Sequence, residues 1–115
     1  MSTLPMTTVM VTHRLPGFHC WPGAPKAVEY LAFPHRHLFL IIVAWRVGHP
    51  DRDVEFHTAQ GWIRELYQPN HDFGARSCEM IAKDIRDGLV GRGFKSPAWV
   101  EVHEDEENGS RVEFA

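Results

Sequence analysis

The chain has 115 residues, room for one domain spanning residues 1–115 and no second. It is 43% hydrophobic and 23% charged, the composition of a folded globular protein, which excludes a disordered or fibrous chain. Acids outnumber bases by 15 to 12, and a net charge of −3 offers no phosphate-tracking surface, which argues against nucleic acid as the main partner.

Residues 6–15, MTTVMVTHRL, are rich in β-branched and apolar types without a helical stripe and predict a strand. The start, MSTLPMTTVM, has no basic segment ahead of an apolar core, so no secretory signal is expected. Residues 16–34 carry Pro16-Gly17, Pro22-Gly23, Pro25 and Pro34 and predict a long loop, of a size that is more often functional than decorative. Residues 35–47, HRHLFLIIVAWRV, give the strongest strand signal. The run from Leu38 to Trp45 is apolar on both faces, as in a central strand covered on each side. It falls far short of the ~20 residues of a membrane helix, so no membrane partner is expected.

Gly48-His49-Pro50-Asp51 turns the chain, and Asp53-Val54-Glu55-Phe56 leads extended into a helix over 57–68. Trp62, Ile63, Leu66 and Tyr67 form its stripe and Pro69-Asn70 its stop. A second helix over 77–92 begins at a Ser77 cap, with Met80, Ile81, Ile85 and Leu89 along one side. Gly88, Gly91 and Gly93 weaken and then end it. Residues 99–104, WVEVHE, alternate as a strand, and Asn108-Gly109 is a two-residue hairpin signal before a last strand over 110–114. The expected fold is therefore α+β in the order ββααββ, an antiparallel four-stranded sheet with two helices on one face. Such a sheet has unpaired edges to cover, which predicts a homo-oligomer.

Eight histidines are what stands out. His35 and His37, two apart at a strand start, point to one face and make a bidentate clamp for zinc or a similar ion. The end of the neighbouring first strand offers His13 as a third ligand, and three histidines would leave one coordination position open, as in a catalytic zinc site. Two surface histidines at a strand start is the bland alternative. A cupin is excluded, because apolar residues follow His37 where its Glu would stand. Glu104 lies in an acidic run, ordinarily a solvated loop. His71-Asp72 between the helices is either a proton relay or an exposed turn. Cys20 is a nucleophile or a bystander, and Cys78 is expected to be buried as a small hydrophobe. Two cysteines make no disulfide framework and fit a reducing cytoplasm.

Taken in chain order, five segments form a pattern: Val11-Thr12-His13-Arg14-Leu15, His35-Arg36-His37, Asp53-Val54-Glu55-Phe56, Arg76-Ser77-Cys78-Glu79, and Val100-Glu101-Val102-His103-Glu104-Asp105 with Gly109 beyond. Nearly the whole chain thereby resembles the 6-pyruvoyl-tetrahydropterin synthase and 6-carboxytetrahydropterin synthase family, which has the T-fold. The resemblance implies zinc on His13, His35 and His37, and a pterin or purine-like ring gripped by Glu104, whose carboxylate accepts two hydrogen bonds side by side. It also implies subunits closing their sheets into a barrel with helices outside. The implied activity is a zinc-dependent lyase on dihydroneopterin triphosphate, in biopterin or 7-deazaguanine biosynthesis.

The departures bear on mechanism. Leu31 stands where the family has its catalytic Cys, and Arg36 replaces the glycine between the two histidines. His71-Asp72 reverses the family's Asp-His order, and Cys20 is the thiol left to move a proton. The alternative is a catalytically idle T-fold module that binds a pterin, purine or nucleotide.

Overall fold

The computed structural model of the protein describes residues 5–67 and 71–114. Its sheet is built on two long strands, β1 (Thr8–His19) and β2 (His35–Arg46), which pair antiparallel from Thr8↔Arg46 to His19↔His35. The chain continues through helix α1 (Phe56–Arg64), a two-residue strand β3 (His71–Asp72), helix α2 (Cys78–Gly91), and the hairpin β4 (Trp99–Glu104) and β5 (Asn108–Glu113). The strand order is β3-β1-β2-β4-β5. Because β3 lies parallel to β1, the sheet is mixed and five-stranded, where the sequence predicted four antiparallel strands.

Alternation along the strands decides which face the helices cover. Val11, Leu15, Phe39, Ile41, Val43, Trp45, Val100 and Val102 are buried beneath Ala59 and Ile63 of α1 and Ile81, Ile85 and Leu89 of α2. The opposite face carries the even-numbered residues of β2, of which Leu38 is 40% exposed and Leu40 and Ile42 are half-buried. The two-sided apolar run of β2 is thus covered by helices on one side alone within this chain. Ser77 caps α2, its hydroxyl accepting from the Met80 N–H at 3.2 Å. Met80 points away from the stripe it was expected to join and is exposed. No helix among the described residues is long and apolar enough to cross a membrane.

Boundaries differ from expectation, the first of them for a tertiary reason. The first strand does not stop at Leu15 but continues through Pro16-Gly17 to His19. Proline is tolerated in an edge strand, and β1 is an edge until β3 joins it at Gly17. Gly17 is required by close approach: a Cβ there would stand 2.8 Å from the His71 carbonyl oxygen and 3.1 Å from the rings of Phe39 and Phe73. The expected loop then shortens and contains a 3₁₀ segment, Lys26–Ala32. Helix α1 ends at Arg64; the Gln68 end and Pro69-Asn70 stop expected for it lie outside the described residues.

The last hairpin does not turn at Asn108-Gly109, which lie in β5 with Gly109 opposite His103. It turns at Asp105 and Glu106, both left-handed at φ 52° and 57°, with the Glu107 N–H donating to the Glu104 carbonyl at 2.9 Å. Asp105 is what places the turn. Its backbone N–H donates to the Leu38 carbonyl at 2.9 Å, and its Oδ1 accepts from the Leu38 N–H at 2.8 Å.

Candidate metal centre and cleft

The β1–β2 register brings three histidines together at one end of the helix-covered face. His19 lies opposite His35, and Gly17 lies opposite His37. With a side-chain period of two, all three imidazoles project to the same side, beyond Phe39. Ring centroids stand 4.5 Å apart for His19–His35, 4.9 Å for His35–His37 and 5.2 Å for His19–His37. The last residue of β4, Glu104, pairs with Phe39 and so faces the same space. One donor atom from each of His19, His35, His37 and Glu104 lies within 4.8 Å of all the others.

Hydrogen bonding fixes what these rings offer. His19 Nδ1 is 3.0 Å from the Arg76 carbonyl, His35 Nδ1 2.9 Å from the Phe33 carbonyl, and His37 Nδ1 2.6 Å from Asp105 Oδ2. Carbonyl and carboxylate oxygens only accept, so each Nδ1 carries the proton and donates. In that tautomer Nε2 is the ring atom that can ligate a metal. The Nε2 atoms of His19 and His37 are buried and take part in no hydrogen bond among the described residues. Burial, the largest influence, together with neighbouring His35 and His37 holds His19 below the ordinary histidine pKa, against the raising pull of the Arg76 carbonyl and Glu104. Anchored Nδ1–H groups behind free, convergent Nε2 lone pairs are the arrangement of metal-binding histidines, and a carboxylate beside them is chemically suited to zinc.

His19, His35 and Glu104 of the cluster line a cleft of about 480 Å³, whose walls include Trp21, Leu31, Cys20, Cys78 and Ser110. Cys78, at the start of α2, is buried as expected; burial first, then the negative charge of Glu104, pushes its thiol up to about 12, so it stays protonated. Cys20 and Leu31 are neighbours in the wall, because the Trp21 N–H donates to the Leu31 carbonyl at 2.7 Å.

The structure places His19, not His13, beside His35 and His37. His13 lies opposite Ile41, six residues back along β1. It is half-buried, and burial first and Arg64 second lower its pKa. His71 and Asp72 do not reach the histidine cleft. His71 lines a second cleft with Tyr67, Arg76 and Asp84, while Asp72 is exposed and accepts from the Gly74 N–H at 2.8 Å. Sequence reasoning missed His19 and Asp105. The available signal for His19 was its ability to pair with His35 once the first strand is extended. For Asp105 it was an acid one residue past the strand that faces the His-x-His segment.

No protein-family model matches the chain, and no curated protein does. Among solved structures, 6-pyruvoyl tetrahydropterin synthase from Caenorhabditis elegans matches with a TM-score of 0.72 at 13% identity, each chain covered over 100% of its length. The chain has the fold of that enzyme. An identity of 13% carries the likeness of architecture and nothing finer.

Proposed function

We propose that the protein is a zinc-dependent lyase of the 6-pyruvoyl/6-carboxy-tetrahydropterin synthase type, acting on dihydroneopterin triphosphate as a homo-oligomer in the cytoplasm. The observation that carries this reading is the set of three imidazoles whose Nδ1 atoms are tied to oxygens and which, with Glu104, each offer a ligand atom within 4.8 Å of the others beside a cleft. His19, His35 and His37 would hold the ion, with His13 standing outside the set. Bound zinc supplies Lewis-acid polarisation of a hydroxyl or carbonyl oxygen on the substrate side chain.

The remaining chemistry falls to the chain's own groups. Glu104 orients a flat pterin ring through paired hydrogen bonds to its ring N–H and exocyclic amine. Cys20, beside Leu31 in the cleft wall, is the thiol positioned to move a proton in place of the family's cysteine. His71 lines the neighbouring cleft and Asp72 is exposed, and both serve β3 before they serve proton transfer. Assembly into a barrel would pair the free edge of β5 and cover the apolar helix-free face around Leu38.

One observation favours a second reading. Leu31 puts an inert side chain where the family has its thiol, as an idle module binding a pterin, purine or nucleotide would. Incubation of the zinc-loaded protein with dihydroneopterin triphosphate separates the two. Release of triphosphate, lost in His35→Ala, supports the lyase; no release at high protein concentration, with a thermal shift on adding a pterin, leaves the binding module.

A further inference from the structure

Resting on that reading of the metal centre, we infer that Glu104 is itself the fourth ligand of the resting ion, so that the centre stays closed until its carboxylate is drawn away. The T-fold resemblance gives this residue to the ring alone. The geometry around it points further.

Glu104 Oε2 stands 2.8 Å from His19 Nε2 and 3.7 Å from His37 Nε2. Both nitrogens are buried and take part in no hydrogen bond among the described residues, while Nδ1 of each ring is engaged by an oxygen behind it. A cation between the carboxylate oxygen and the two ring nitrogens would give each of these buried donor atoms a partner. The spacing fits such an ion. Four donors about 2.1 Å from a tetrahedral centre stand about 3.4 Å from one another, and the two observed separations straddle that value.

The neighbouring acids sharpen the assignment. Glu106 turns outward to Arg14 at 2.7 Å, and Asp105 supports His37 from behind. Glu104 turns inward, 24% exposed, with its carboxylate against the Nε2 atoms of His19 and His37. Asp105 grips both Leu38 and His37, so it holds the end of β4 against the start of β2 and keeps the carboxylate on the cluster.

One carboxylate then has two claimants. Accepting a ring N–H and an amine side by side occupies both oxygens, so a ring that takes Glu104 frees a coordination position as it binds.

Cobalt(II), with visible d–d bands, is the probe. We compare the cobalt-loaded wild type with Glu104→Gln and Glu104→Ala, checked for folding by circular dichroism, and titrate each with azide. The wild-type spectrum is expected to be indifferent to azide at concentrations that shift the Glu104→Ala bands to those of an azide adduct, and the wild type and Glu104→Ala spectra should differ before azide is added. A wild-type spectrum that responds to azide as the variants do overturns the fourth-ligand assignment while leaving a three-histidine centre standing. Failure of the folded wild type to retain cobalt overturns the metal reading and this inference together, and elemental analysis tells the two outcomes apart.

Discussion

Substituting the two candidate third histidines separately tests where the ion sits. His13 and His19 are six residues apart on one strand, which at ~3.4 Å per residue is about 20 Å, whereas a zinc–imidazole bond spans about 2 Å. They cannot serve one ion. A site loaded at 100 times its dissociation constant stabilises the fold by about 2.7 kcal/mol. For a domain of roughly this size each kcal/mol moves the melting temperature by about 4 °C, so zinc should raise it by about 10 °C. The assay is differential scanning fluorimetry with and without zinc, read as the zinc-induced shift within each variant, so that packing lost with the ring cancels. His13→Ala should keep the whole shift and one ion per chain by elemental analysis. His19→Ala should lose most of the shift. The same shift surviving in His19→Ala, or vanishing in His13→Ala, would refute the assignment drawn from the register.

Three further outcomes are expected. Asp105→Ala removes the acceptor that fixes the His37 tautomer, and zinc affinity measured by competition should fall ~10–100-fold; unchanged affinity would remove Asp105 from the centre. Gly17→Ala should destabilise the fold by about 1–3 kcal/mol in urea, because its Cβ meets a backbone oxygen that has nowhere to move. Gly61→Ala, in the interior of α1 with open space around it, should instead be neutral or stabilising, and equal behaviour of the two would contradict the close-approach argument. Hydrogen bonds from the Gly48 N–H to Asp53 and from the His57 N–H to Glu55 are the leading causes that hold these carboxyls below their ordinary pKa. A depressed folded-state pKa stabilises above the unfolded value and is lost as pH falls through the folded one, so the melting temperature should drop below about pH 4 and drop less in Glu55→Gln.

Where local chemistry and tertiary structure agreed, the sequence was legible. The β-branched run of β2 and the alternation of WVEVHE need nothing beyond their own side chains to be strands, and Ser77 caps α2 by itself. The β2–β4 pairing joins them. What local chemistry concealed was β3. Two residues carry no periodicity, yet their backbone lies against Gly17 and makes Pro16-Gly17 part of a strand instead of a turn.

That concealment propagated directly into the candidate site. Ending β1 at Leu15 leaves His13 as the nearest histidine to a strand end, and it hides the His19↔His35 pair altogether. The same competition moved the last turn. Asn108-Gly109 is the better local turn, and Asp105-Glu106 is a costly one, with two side-chain-bearing residues at positive φ. Asp105 offsets that cost through its hold on Leu38 and His37, contacts about sixty-seven residues away in sequence that no local reading contains. Backbone strain accepted at Asp105, a glycine forced at Gly17 and a proline carried inside β1 all lie within reach of the same cluster. Each departs from local preference in the direction that brings His19, His37 and Glu104 together, which is the pattern expected where a fold gives up stability to build a site.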